Sequence, residues 1–222
     1  MNTKLIEKFK YCLGISYSRK ILNNILNENR NYFHGSVLDI GGGKERGKFV
    51  RPKTEKWISA DISSELQPDF VCNVEKMPFE NESFDVIKAT QIFEHVENPE
   101  IGVKECFRVL KKEGYFIISA PFIYPLHGDP CDFQRWTKNK WEKVLSESEF
   151  KIEKLCNMGG YFIVLIDMLR NFNASMPSFF RYLGYFIYPF YYLLIQLDKT
   201  GFVLKNNRLN KYTSGYFIIA KK

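Results

Sequence analysis

Between residues 4 and 29 the apolar side chains Leu5, Ile6, Phe9, Leu13, Ile21, Leu22, Ile25 and Leu26 recur at helical spacing. One or two amphipathic helices are predicted there, with Gly14 as a break, forming a cap. Short apolar runs follow at 36–40, 57–61, 69–72, 83–89 and 115–119, each read as a buried strand. Between the first two, Lys44, Arg46, Lys48, Arg51, Lys53 and Lys56 leave little apolar surface and Pro52 interrupts, so the crossover helix is expected to be short or missing. Asn98 with Pro99 behind it predicts a helix start, carrying Ile101, Cys106, Val109 and Leu110 and closed by Lys111, Lys112 and Gly114. Thr137 predicts the cap of another helix, with Trp141, Val144 and Leu145 on one face, followed by a strand at 151–156.

After Gly159 the alternation gives way to an apolar run at 161–169 and a mostly aromatic and aliphatic stretch at 176–197, before 216–220 ends the chain as a returning strand. The alternation predicts an α/β, doubly wound fold. The expected organisation is a helical cap over 1–35 and a main domain over 36–222, with a hydrophobic helical insertion at about 171–210.

Composition narrows the class. The 222 residues, 45% hydrophobic and 26% charged, suit one large packed domain and exclude disordered or collagenous chains. Lys plus Arg exceeds Asp plus Glu by 32 to 25, and the +7 balance favours anionic partners. Five scattered cysteines with no CxxC pair argue against disulfides and against a zinc site, so reduced thiols in a cytoplasm and no metal are expected. Residues 1–20 have interspersed charges and do not read as a signal peptide.

The strongest chemical signal is VLDIGGG at 37–43, a buried strand ending in an acid and turning through glycines where ligands bind in such folds. Asp39 suits a positively charged or hydrogen-bond-donating group. The last glycine of a dinucleotide fingerprint counted from Gly41 is Arg46, which makes a nicotinamide cofactor the weaker reading. The run also reads as a plain tight turn. Asp61 ends the second strand about twenty residues later, as a ribose-binding carboxylate does; its plainer role is capping through Ser63.

With SADIS, NVEKMPFENESFDVI, QIFEHVENP and ECFRVLKKEGYFIISAP in order behind VLDIGGG, the stretch 37–121 resembles the class I S-adenosylmethionine-dependent methyltransferases, in their broad small-molecule (type 11) group. The resemblance implies a Rossmann-like, mainly parallel seven-stranded sheet and S-adenosyl-L-methionine as cofactor. It places Asp39, Gly41 and Gly43 at the methionine end, Asp61 on the ribose, Asn73 and Val74 beside the adenine, and Thr90 and Gln91 below the sulfonium. Glu45 stands where the family usually has a third glycine, with Gly47 two further on, and Asn73 stands where Asp is commoner.

The stretch 121–137 resembles a loop of bacterial methyltransferases, many associated with glycan or lipid pathways. His127 is the expected catalytic base, Asp129 or Asp132 its orienter, and Arg135 either clamps a phosphate or carboxylate of the substrate or pairs with Asp132. His95 is read as packing under the cofactor. The segment 179–197, which includes Phe179, Arg181, Pro189 and Leu197, fits a peripheral membrane contact at the inner face, a buried lid or a homodimer contact. Methyl transfer to a small or lipid-linked acceptor follows, with a sugar hydroxyl in cell-surface glycan synthesis as the specific expectation. The alternative is a non-catalytic nucleoside-binding or assembly protein on the same fold. A nucleic-acid acceptor is disfavoured because no NPPY-type motif or added RNA-binding domain is present.

Overall fold

A computed structural model describes residues 16–42, 49–128, 131–178 and 187–222. The strands are β1 (Ser36–Ile40), β2 (Lys56–Asp61), β3 (Phe70–Val71), β4 (Phe84–Thr90), β5 (Leu110–Pro121), β6 (Lys151–Asn157) and β7 (Gly215–Lys221). They form one seven-stranded sheet in the order β3-β2-β1-β4-β5-β7-β6. Pairing is parallel from β3 through β5, and β7 runs antiparallel to β5. This is the mainly parallel, doubly wound α/β fold that the alternation predicts.

Because β1 and β4 lie inside the sheet, almost every residue in them is buried, which is why they read as continuous apolar runs. Leu38, Ile40, Ile58, Ala60, Ile87, Ala89, Phe116 and Ile118 form one core. Helices α2 (Pro99–Val109) and α3 (Lys138–Glu147) contribute Val103, Cys106, Val109, Trp141, Val144 and Leu145 to it. Thr137 caps α3 as expected, its Oγ1 accepting from Lys140 N–H at 3.3 Å. Asn98 stands at the N-cap position of α2 with Pro99 behind it, as expected, but its side chain makes no capping hydrogen bond; its backbone N–H and Nδ2 both donate to Glu75, at 3.0 and 3.3 Å. Nor do Lys111 to Gly114 close that helix. It ends at Val109, and these residues form an irregular entry into β5, where the register with β4 shifts between Phe84 and Val86.

The chain divides into two compact units, 25–156 with 215–222, and 1–24 with 157–214. The first holds the sheet. In the second, α4 (Tyr161–Ser175) and α5 (Tyr188–Leu197) pack through Ile163, Ile166, Tyr191 and Ile195, with Tyr17 and Ile21 from the start of α1 (Tyr17–Glu28) against them. The short α6 (Gly201–Leu204) completes it. Asp167 on α4 accepts hydrogen bonds from the N–H groups of Tyr17 and Ser18, at 2.8 and 3.1 Å, and from Ser18 Oγ at 2.6 Å. Asp198 accepts from the N–H groups of Gly160, Phe162 and Ile163 at 3.2, 2.9 and 3.0 Å. Both helices are therefore capped by carboxylates distant in sequence.

The expected first helix turns lie outside the described residues, as do 179–186 of the aromatic segment. Among the described residues no helix is long and apolar enough to cross a membrane. The described part of the basic stretch before β2, residues 49–55, holds no helix.

Candidate functional site

The carboxyl ends of β1, β2, β4 and β5 lie side by side because the four strands are parallel, and each hands its chain to a loop at the same edge. At the end of β1, Gly41 has φ +72° and donates its N–H to Ala60 O at 2.8 Å. A Cβ there would lie 2.1 Å from Ile92 Cγ2, and one on Gly42 would lie 2.7 Å from Asp39 Cγ. The turn needs glycine at 41 for its left-handed backbone and for the neighbouring isoleucine, independently of any ligand. Gly43 lies outside the described residues, with Glu45 and Gly47.

Asp39 is buried and already holds a cation. Lys88, its register partner on β4, donates from Nζ to Oδ1 at 2.6 Å. Trp57 Nε1 donates to Oδ2 at 3.3 Å, and Arg51 Nη2 stands 4.0 Å from the same oxygen. The positively charged partner that the sequence assigns to a ligand is thus supplied by the chain itself. Lys88 was missed; the signal was a lysine in the middle of an otherwise apolar strand.

Asp61 at the end of β2 is buried, and its Oδ1 accepts from Ser63 N–H at 2.8 Å. Its Oδ2 has no partner among the described residues, so the capping role leaves one oxygen to receive hydroxyl donors. Asn73 Oδ1 accepts from Glu75 N–H at 2.9 Å, which leaves its Nδ2 to donate. Val74 is buried, with Gly102 of α2 against its methyl groups. Thr90 ends β4 opposite Ser119. Gln91 takes a left-handed φ of +56° and turns onto β5, its N–H on Ser119 O and its Nε2 on Ser119 Oγ at 2.8 and 3.1 Å. An open carboxylate acceptor beside a glycine turn, with amide groups on the next loops, offers hydrogen-bonding partners of the kind that a ribose and an adenine require, so these residues fit the nucleoside part of S-adenosylmethionine.

The loops after β4 and β5 are stitched together. Phe133 N–H donates to Glu94 O at 2.8 Å, and Gln134 Nε2 to Val96 O at 2.7 Å. Asp132 accepts from His127 N–H at 3.0 Å and pairs with Arg135, whose Nη2 lies 2.6 Å from Oδ2. The Arg135 hydrogen bond holds the Asp132 carboxyl down at about 2. Arg135 is therefore engaged structurally, and Asp132 is the orienter of the His127 backbone. Asp129 lies outside the described residues.

His95 and His127 meet edge to face, with ring centroids 5.0 Å apart. Both face Glu94, which is fully enclosed and whose two carboxylate oxygens have no hydrogen-bond partner among the described residues. Burial pushes its carboxyl up to about 7. Glu94 was present in the EHV stretch and was assigned no role; nothing in its spacing announces that His127, in a separate loop, lies beside it.

Residues 38–118 match a family model described as a methyltransferase domain. An uncharacterised protein of Methanocaldococcus jannaschii is 35% identical over 92 residues, which cover 38% of this chain and 43% of that one. The ubiquinone/menaquinone biosynthesis C-methyltransferase of Bartonella henselae is 35% identical over 94 residues, 42% of this chain and 34% of its own. The matches thus span less than half the length of either relative. A solved S-adenosylmethionine-dependent methyltransferase from Archaeoglobus fulgidus superposes with a TM-score of 0.58 at 18% identity, covering 100% of both chains, a likeness of fold. Residues 38–118 thus match a methyltransferase domain, and the sheet has the fold of the class I S-adenosylmethionine-dependent methyltransferases.

Proposed function

We propose that the protein transfers a methyl group from S-adenosylmethionine to a small or lipid-linked acceptor at the carboxyl edge of the sheet. The observation that carries this is Asp61, which ends β2 with one oxygen satisfied by Ser63 and the other open to a ribose. S-adenosylmethionine supplies a methyl carbon activated on a sulfonium. The chain's own part is to hold the nucleoside with Asp61, Asn73 and the backbone at Val74, and to align the acceptor. Thr90 and Gln91 line the sulfonium side, and Asp39 shapes the methionine end through its pairing with Lys88.

For the acceptor we favour a sugar hydroxyl in cell-surface glycan synthesis, supported by the polar loop that carries His127, Asp132 and Arg135. His127 is the catalytic residue in this reading: the hydroxyl proton passes to its Nε2, the oxygen–methyl bond forms, and the carbon–sulfur bond breaks with its electron pair left on sulfur. Several relatives carry names of C-methyltransferases of quinols and sterols, so a carbon acceptor is the competing outcome. Contact of the aromatic segment with the inner membrane face draws support from Ile187, Phe190, Tyr192 and Leu193, all exposed on or beside α5.

S-adenosylhomocysteine should raise the melting temperature while NAD does not, and Asp61→Ala should weaken its binding by about 1.5–3 kcal/mol. An unchanged dissociation constant removes Asp61 from the site. A panel of glycans, hydroxylated lipids and quinols, read by S-adenosylhomocysteine release, identifies the acceptor class. Co-sedimentation with anionic vesicles that falls with salt supports lipid contact; its absence at low salt leaves burial or dimerisation.

A further inference from the structure

Three groups in the loops after β4 and β5 face one another with only lone pairs between them. His95 places Nδ1 2.5 Å from the carbonyl oxygen of Cys131. A ring nitrogen at that distance from a carbonyl carries a proton, so in the neutral ring Nε2 is the nitrogen with the free lone pair. His127 repeats the arrangement, with Nδ1 3.1 Å from Pro125 O and 3.4 Å from Asp132 Oδ2. The two Nε2 atoms lie 3.8 and 4.0 Å from the same oxygen, Oε1 of Glu94. These separations are too long for hydrogen bonds. All three ligand atoms fall within 4.8 Å of one another.

Glu94 makes this more than a chance approach. Its side chain is 1% exposed, and neither oxygen meets a donor among the described residues. A buried carboxylate left this way is costly as an anion unless something positive reaches it, whether a proton or a cation. Arg135 gives Glu94 no hydrogen bond: its Nη1 and Nη2 are on Asp132, and its charge reaches Glu94 only through space. With Glu94 ionised and both imidazoles neutral, Glu94, Asp132 and Arg135 together carry one net negative charge.

We propose that Glu94, His95 and His127 form a binding site for one divalent transition-metal cation, held by two imidazole Nε2 atoms and one carboxylate oxygen. Two nitrogens and one oxygen suit zinc, cobalt, iron or manganese and not magnesium, which prefers an all-oxygen shell. Around an ion with bonds of about 2.1 Å, tetrahedral ligands sit about 3.4 Å apart, so each imidazole needs to close on the Glu94 oxygen by about half an ångström, and no pair of ligand atoms by more than about 1.4 Å. The supporting shell is already in place. Each histidine donates its other nitrogen to a carbonyl or carboxylate, the arrangement that orients metal-bound imidazoles.

With three protein ligands and both histidines partly open to solvent, the ion keeps at least one position for an oxygen ligand, water or an acceptor hydroxyl. Only that last role rests on the methyl-transfer reading. In the loaded site His127 is a ligand instead of a base, and the acidity of a bound hydroxyl comes from the cation.

The experiment uses the full chain, with any polyhistidine tag removed and metal stripped by a chelator, titrated with Co2+ and followed by visible absorption and calorimetry. One equivalent should bind, with ligand-field bands of a low-coordinate site, and be displaced by Zn2+ but not by a hundredfold excess of Mg2+. His127→Ala, His95→Ala and Glu94→Gln should each weaken Co2+ binding at least about tenfold. Their S-adenosylhomocysteine thermal shift should persist, which certifies the fold and tests the methyltransferase reading separately. No stoichiometric Co2+ binding to folded wild type overturns the site, as does binding indifferent to all three substitutions. Metal binding without a thermal shift leaves the site standing and removes its proposed role in methyl transfer.

Discussion

Replacing Lys88 by Met leaves Asp39 in the centre of the sheet without its main partner. The two side chains are 11% and 7% exposed, so the rules for buried ion pairs apply and those for surface pairs do not. At 2.6 Å and an effective dielectric constant of 20, their gross attraction is about 6 kcal/mol. Desolvation of both ions offsets most of it, and the cost of breaking such a pair from one side is about 3–5 kcal/mol. Trp57 Nε1 at 3.3 Å and Arg51 at 4.0 Å still face the orphaned carboxylate, which puts Lys88→Met near the lower end, about 3 kcal/mol. For a chain of this size that is a fall of about 6–12 °C in melting temperature. Asp39→Asn should cost a similar amount by stranding the lysine. The double variant removes both charges and should recover most of the loss, giving a coupling energy of about 2 kcal/mol or more in a thermal or urea-melt cycle. A single Lys88→Met variant within about 1 kcal/mol of wild type, or costs that simply add, would refute the assignment of Lys88 as the counter-ion of Asp39.

Arg108 donates to Phe79 O, Met77 O and Asn81 Oδ1 and holds Glu105 through two bonds, while Glu105 accepts from Met77 N–H; Arg108→Ala should therefore destabilise by about 2–4 kcal/mol in a urea melt. The same hydrogen bond lowers the Glu105 carboxyl, so its smaller contribution is fully present above the unfolded value near 4.3 and is lost as pH falls through the folded one. The gap between wild type and Arg108→Ala should accordingly narrow below about pH 4, and a gap that widens there contradicts the pairing. Gly41→Ala combines a left-handed backbone with an overlap on Ile92 and should cost about 2–5 kcal/mol; a neutral melting temperature would mean that the turn readjusts freely.

The strands were legible because interior parallel strands are mostly apolar, and β1 and β4 are so apart from a few polar positions such as Asp39 and Lys88. Thr137 was legible as a cap because its acceptor serves an amide three residues on. Asn98 carries the same local signature and takes the N-cap position, but its side chain is held by Glu75, a segment distant in sequence, and makes no capping bond, which spacing cannot reveal. The stretch from Lys111 to Gly114 looks like a helix end, but in the fold Glu113 N–H meets Lys222 O at the far end of the chain. At the candidate site, the place of Asp61 at the end of β2 was readable from the apolar run before it. Lys88 and Glu94 were not assigned, since their significance lies in what stands across from them, Asp39 on a neighbouring strand and His127 on a separate loop.

The carboxylates of Asp167 and Asp198 close the starts of α1 and α4 from outside, and each closure is also a coupling. A helix capped by its own preceding residue can form early and alone. Here the first turn of α1 waits for α4 to be in place, and the first turn of α4 waits for the residue after α5. The three helices should then exchange their amide hydrogens as one cooperative unit, with the N–H groups of Tyr17 and Phe162 opening only when a distant segment lets go. Asp198→Asn should therefore speed exchange at Tyr17, a residue that Asp198 never touches.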